Sequence, residues 1–447
     1  MTAMEEVSRL GVKSQEYQKI LKYLSNEVAR SLEEQPVRVS QQKEDANNHI
    51  GQEYIKTGLK LPETLRAQLF HDVYDEVFGY GPIQVLLDDA EITEVMVNGP
   101  KQVFIERNGK LIKTNVTLEN DSHVIRIIER IVQPLGRLID PDHPTVDARL
   151  PDGSRVNAII PPVAIDGPSI TIRKFSKEKL TVEQLIEFGS MTPELADFLQ
   201  ACVASRLNII ISGGTGSGKT TLLNILSGFI PEEERIVTIE DAAELQLRQE
   251  HIVRLETKHA GVDGQGAVTI RDLVRNSLRM RPNRIVVGEV RGGEALDMLQ
   301  AMNTGHDGSM TTLHANTPRD GLSRLETMTL MSGIDFPIRV VREQIASAVD
   351  LIVQQSRMRD GSRKITQVTE IVGMEGDTVV MNDLFKFEEK PGVDPLGKVE
   401  GELKPTGIRP LFEHRLVIAG FKLKPEVYGV NIAEMLAANR RPSRRGR

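Results

Sequence analysis

The sequence predicts an α/β protein in which a parallel sheet covered by helices follows a smaller α+β domain and an N-terminal helical segment. Three observations carry that expectation. The short β-branched runs Ile209-Ile-Ile-Ser212, Arg235-Ile-Val-Thr-Ile239 and Arg284-Ile-Val-Val287 read as buried parallel strands. They alternate with helical stretches, as strands of such a sheet alternate with their crossover helices. Upstream of residue 176, runs that alternate apolar with polar residues are separated by turn signals, which describes short antiparallel strands. At 447 residues the chain exceeds one compact core, and the expected divisions are 1–58, 59–175 and 176–447.

From about Ser14 to Leu32 the residues Tyr17, Ile20, Leu21, Leu24, Val28 and Leu32 recur at helical spacing. They predict an amphipathic helix that packs on its own domain or on a partner. Polar residues fill 33–51, as in a linker or a solvated helix. Pro62 opens a helix over Glu63–Phe78, and short strands follow at Glu94–Val97 and Gln102–Glu106. A helix over Ser122–Val132 and a hairpin turning at Asp152-Gly153 complete an α+β domain that closes near Ile170–Phe175.

Beyond Ser176, helices are expected over Leu180–Phe188 and Thr192–Val203, the second with Pro193 in its first turn. The strand at 209–212 then runs straight into Gly213-Gly-Thr-Gly-Ser-Gly-Lys-Thr220 and the helical run Leu222–Leu226. This is the strand, loop and helix order of a phosphate-binding loop. Gly213, Gly214, Gly216 and Gly218 let backbone N–H groups turn inward around phosphates, with Thr215, Ser217 and Thr221 completing the segment. Lys219 reaches the β- and γ-phosphates, and the Thr220 hydroxyl holds Mg²⁺, so ATP and Mg²⁺ are the expected cofactors.

Such a loop needs acidic residues at the ends of neighbouring strands to organise the metal and the attacking water. Glu240-Asp-Ala-Ala-Glu244 follows one predicted strand, and Gly288-Glu289-Val-Arg291 follows another. Both stand where ligands of open α/β sheets bind. One carboxylate can serve as general base and another can hold the metal's water shell. His314, in Met310-Thr-Thr-Leu-His-Ala-Asn316, ends a third strand-like run; a lone histidine of this kind is usually a packing residue.

Composition narrows the setting. A net charge of -7 argues against bulk nucleic-acid binding, which needs a basic surface to displace counterions. Cys202 is the one cysteine, so neither an intrachain disulfide nor a cysteine-held zinc can form, as suits a reducing compartment. No apolar run approaches the roughly 20 residues of a membrane span, and Met1-Thr-Ala-Met-Glu-Glu6 lacks the features of a signal peptide. The expected location is the cytoplasm, with any membrane association through partners. Arg440-Arg-Pro-Ser-Arg-Arg-Gly-Arg447 reads as a basic, solubilising tail.

Four motifs then carry a resemblance. Gly213–Thr220, Thr238-Ile-Glu-Asp-Ala-Ala-Glu244, Arg284-Ile-Val-Val-Gly-Glu-Val-Arg291 and Leu313-His-Ala-Asn316 resemble the Walker A, Asp box, Walker B and His box of the secretion ATPase superfamily. The runs 303–320 and Glu343–Asp350 are similar to CpaF-type ATPases of the tight-adherence (Flp) pilus apparatus, relatives of the conjugative type IV secretion ATPases. The resemblance implies a RecA-like ATPase domain behind a PAS-like N-terminal domain, assembled as a homohexamer. It further implies a cytoplasmic motor, peripheral at the inner membrane, acting on platform proteins to drive a pilus. Glu244 matches the catalytic glutamate of the Asp box, Glu289 the Walker B glutamate that also serves the metal, and His314 the histidine that reports the γ-phosphate. Arg149 and Arg173, with neighbouring Arg155, match arginines that the small domain brings to the γ-phosphate, a charge that phosphoryl transfer favours.

The Asp box lacks the proline many relatives carry after Asp241, although the carboxylate spacing is intact. A single cysteine excludes the four-cysteine zinc site of type IVa extension ATPases, and no Ala-Ile-Arg-Asn run of the retraction ATPases is present. Both absences favour the CpaF branch over those relatives. The Gly305-His-Asp-Gly308 run and the extension to residue 447 speak against a type IV secretion ATPase, and intact Lys219, Glu244 and Glu289 against a nucleotide-gated scaffold. Residues 360–447, with strand-like Ile365–Val372, suggest an appended β-rich subdomain.

Overall fold

The computed structural model describes residues 15–34, 43–107, 109–175, 180–258, 260, 265–392 and 397–429. It divides between Ser176 and Lys177 into two compact units. The basic run 440–447 and residues 35–42 lie outside the described residues.

The first unit begins with helices Gln15–Glu34, Lys43–Thr57 and Glu63–Val77. Tyr17, Leu24 and Val28, from the expected stripe, bury against Ile50, Leu69 and Val73. Ile20, Leu21 and Leu32 are only partly covered, so the amphipathic face of the first helix is taken up by its own unit. The Tyr17 hydroxyl donates to Asp72 at 2.6 Å, joining the first helix to the third.

A six-stranded antiparallel sheet follows, built from β1 (Ile92–Asn98), β2 (Val103–Arg107), β3 (Lys110–Lys113), β4 (Thr145–Arg149), β5 (Arg155–Ile159) and β6 (Ser169–Arg173). Their order is β3-β2-β1-β6-β5-β4. Helix Asp121–Val132, capped by the Asn120 side chain, lays Val124, Ile127, Ile128 and Ile131 into a core shared with Val95, Val97, Ile170 and Ile172. The β4–β5 turn uses Gly153 at φ +93, where a Cβ would be strained, and Asp152 accepts the Ser154 N–H at 2.9 Å.

The second unit is one nine-stranded sheet of β7 (Ile209–Gly213), β8 (Ile236–Glu240), β9 (Ile252–Glu256), β10 (Arg284–Val287), β11 (Met310–His314), β12 (Leu351–Arg357), β13 (Arg363–Glu375), β14 (Thr378–Glu389) and β15 (Gly401–Pro405). The order is β15-β14-β13-β12-β7-β11-β10-β8-β9. From β12 to β9 every pair is parallel. Alternate residues of these strands face opposite layers. Ile209, Ile211, Met310 and Val353 meet Leu195, Phe198 and Leu222 on one side, while Ile210, Ile239, Leu313 and Ile352 meet Met298, Leu325 and Ile345 on the other. Burial on both faces explains why the strands read as continuous apolar runs.

The C-terminal strands correct one expectation. Ile365–Val372 lies within β13, which pairs antiparallel with β12, and β14 and β15 continue the same sheet. Among the described residues no separate β-rich subdomain forms there, because an antiparallel neighbour needs only a tight turn, which Met358 closes by donating its N–H to the Ser362 carbonyl at 2.7 Å. Among the described residues no helix is long and apolar enough to cross a membrane.

Candidate active site

β7 is buried throughout and delivers the chain at Gly213 into the loop that precedes helix Lys219–Ser227. Glycine is required at this exit: a Cβ on Gly213 would stand 2.3 Å from the Gln355 carbonyl oxygen and 2.5 Å from Ser217 Oγ. Gly216 and Gly218 take φ of +69 and +95, which lets the loop reverse before the helix begins. Gly218 caps the helix with no side chain, leaving its first N–H groups and the positive end of its dipole for an anion.

Three parallel strands bring their ends to this loop. His314 closes β11 directly opposite Gly213, and Glu289 follows β10. Lys219 Nζ donates to the Gly214 carbonyl at 3.0 Å and lies 3.3 Å from His314 Nδ1. An ammonium has no lone pair, so Nδ1 accepts and the neutral ring carries its proton on Nε2. That nitrogen stands 3.0 Å from Glu289 Oε1, while Arg291 donates to Glu289 Oε2 at 2.9 Å. Burial, followed by the Lys219 charge, lowers the His314 pKa below its ordinary 6.5 and keeps the ring neutral. Burial also lowers the Lys219 ammonium, against the opposing pull of Glu289.

The acidic loop after β8 is organised by its first carboxylate. Glu240 is buried and accepts from the N–H groups of Glu244 at 2.8 Å and Leu245 at 3.0 Å. Gly288 makes room for it, since a Cβ there would lie 2.9 Å from Glu240 Cγ. Asn224, on the helix after the phosphate loop, accepts the Gln246 N–H at 2.8 Å and ties the two segments together. Glu240 is thus a positioning residue, and the half-buried Glu244 is the carboxylate it sets in place.

The site residues expected in the first unit also stand together. Register places Arg149 opposite Arg155 and Arg155 opposite Arg173, a row of three guanidiniums across β4, β5 and β6. Glu94 on β1 follows next in the row, 3.7 Å from Arg173.

The residues of the second unit fit a magnesium nucleotide. Ser217 Oγ is buried with no hydrogen-bond partner among the described residues, and Glu289 Oε1, although close to His314, has no aligned donor. Free acceptor oxygens beside Lys219 and an uncapped helix start suit a hydrated cation with its phosphates.

Sequence reading missed residues of β12 and β13 that touch the loop. Gln354 Nε2 donates to the carbonyls of Ala315 and Asn316, both at 3.1 Å, and Arg363 Nε donates to the Gly216 carbonyl at 3.0 Å. The β12–β13 register shifts here, Gln354 facing Gln367 and Gln355 facing Ile365, so Thr366 is the extra residue of a bulge in β13, a feature common beside functional sites.

The profile of the family described as type II/IV secretion system protein matches residues 76–383. A Mycobacterium tuberculosis protein with a provisional conjugal-transfer name is 37% identical over 307 residues, spanning 67% of this chain and 87% of that one. The type IV secretion system protein VirB11 of Brucella suis is 33% identical over 320 residues, 65% of this chain and 89% of its own. The crystal structure of the Brucella suis VirB11 ATPase with sulphate aligns at 32% identity and a TM-score of 0.36, covering 64% of this chain and 94% of that one. The extent of the profile match decides the relationship: this chain belongs to the type II/IV secretion system protein family.

Proposed function

We propose that this chain is the ATP-hydrolysing subunit of a homohexameric, RecA-like motor that drives a Flp-type pilus through an inner-membrane platform. The observation that carries the chemistry is the chain of contacts from Lys219 through His314 to Glu289 at the mouth of the phosphate loop. In this reading Lys219 neutralises the β- and γ-phosphates and Glu244 takes the proton of the attacking water. Thr220 and Glu289 would hold Mg²⁺ with its water, and the cation would supply charge neutralisation at the phosphates. Arg149, Arg155 and Arg173 provide further positive charge to the γ-phosphate, and His314 reports whether that phosphate is present. Pilus work, rather than another cargo, rests on the CpaF-like runs 303–320 and 343–350.

A second reading has its own support: relatives named for conjugal transfer and for type IV secretion cover most of their length with this chain. Under it the same motor moves DNA or protein. The test is Lys219→Ala in the source cell with labelled pili counted as they extend and retract. Loss of pili is the expected result; normal pili with lost DNA or protein transfer establishes the second reading instead.

A further inference from the structure

The proposed nucleotide chemistry makes no use of two arginines that the C-terminal hairpin sets against the phosphate loop. Arg357 ends β12 and Arg363 opens β13, and the two are direct cross-strand partners. Like charges in that relation destabilise an antiparallel pair. Here the pair is held close by a stapled turn. Asp360 accepts from the N–H and hydroxyl of Ser362 at 2.9 and 2.6 Å and from the Val399 N–H at 2.8 Å. Burial alone would raise the Asp360 carboxyl, yet these donors outweigh it and push the group down to about 2.

The turn aims both side chains at one place. Arg363 Nε binds the Gly216 carbonyl, and its Cδ lies 3.2 Å from where a Cβ on Gly218 would stand. Arg357 Nη1 comes within 3.7 Å of the corresponding point on Gly216. Arg357 is exposed, and its guanidinium makes no ion pair or hydrogen bond among the described residues. Its next residue but two is Asp360, whose oxygens are already occupied by the turn. Two guanidiniums at a glycine-rich loop, with Asp360 engaged by the turn, offer donors to phosphate oxygens, to which arginine's planar fork is matched.

We propose that Arg357 and Arg363 are a second phosphate-contacting element, through which the β12–β13 hairpin steadies the loop apex and helps bind a nucleoside di- or triphosphate. The proposal rests on the nucleotide-site reading above. In it Arg363 acts both on the loop and on the ligand, and Arg357 acts on the ligand alone.

The experiment is a fluorescence titration of the full chain with a labelled Mg-ADP, with thermal unfolding of each variant measured alongside. Arg357→Gln and Arg363→Gln should each weaken binding about tenfold, the value of one charge-assisted contact of about 1.4 kcal/mol. Arg357→Lys keeps the charge without the planar fork and should recover only part of the loss, with an unchanged melting temperature. Lys364→Gln removes the same charge one residue away, from a side chain that donates to the Gly189 carbonyl, and should bind as wild type. Wild-type affinity in both glutamine variants, beside abolished binding in Lys219→Ala, would overturn the pair and leave the phosphate loop standing. Weakening in Arg363→Gln alone, matched by a lower melting temperature, would reduce Arg363 to a brace and also overturn it. A wild-type chain that binds no Mg-ADP would overturn the nucleotide site itself.

Discussion

Glu240 accepts the backbone N–H of Glu244 at 2.8 Å, so the carboxylate that ends β8 fixes the residue four positions further on. Glu240 therefore supports the loop, which leaves Glu244 as the proposed reacting group. Glu244→Gln is expected to bind Mg-ATP normally and to lose about 10²- to 10⁴-fold in turnover, the usual worth of a general base. Glu240→Ala should also slow turnover but should lower the melting temperature, because two backbone donors lose their acceptor. Steady-state ATPase rates with paired melting curves check both. An unchanged rate in Glu244→Gln would move the base to Glu289.

The neutral state of His314 has a pH signature. Its folded pKa is depressed, so as pH falls below about 6.5 the unfolded chain takes up the proton first. The stability tied to the neutral ring is present above that value and is lost as pH drops through the lower folded pKa. Melting temperature from pH 7.5 to 5.5 should thus fall more steeply in wild type than in His314→Gln. Equal slopes would show that the ring is not held neutral.

Gly213→Ala tests the close approach of β12 to the loop. The added methyl meets the Gln355 carbonyl at 2.3 Å, and backbone cannot yield as a side chain can. We expect destabilisation of about 1–3 kcal/mol or more and loss of Mg-ATP binding, read by denaturant unfolding and by titration.

For the arginine row, Arg149→Ala and Arg173→Ala should each reduce turnover by roughly 10³-fold or more if they serve the transferring phosphate. Oligomer size, measured by light scattering, should stay as in wild type. Normal turnover in both variants would place the γ-phosphate arginines elsewhere.

The phosphate loop was legible because its signal is local: an apolar strand, four glycines and a helix lie within 18 residues of one another. His314 and Glu289 were legible as strand-end residues, but only the parallel register shows that β11 and β10 bring them to Lys219. Arg363 reaches Gly216 across 147 residues, a pairing that no spacing rule contains. Ile365–Val372 was legible as a strand and not as a member of the central sheet, since alternation reveals that a strand forms without naming its neighbour. By strand-end position alone Glu240 and Glu244 looked equivalent, and only the resemblance singled out Glu244. The backbone hydrogen bonds supply the physical distinction, since Glu240 accepts the N–H groups of Glu244 and Leu245.

The antiparallel extension of the central sheet has a practical consequence for dissecting this chain. β12 is the immediate neighbour of β7, and β13 occupies its other side. Cutting the chain at Ser362 would strip β12 of that neighbour and expose a row of unpaired N–H and C=O groups one strand away from the phosphate loop. Exposed strand margins of that kind recruit other chains, so such a fragment is expected to aggregate or pair with itself. A soluble ATPase fragment should therefore retain the polypeptide through Pro405, even though the family match stops at residue 383.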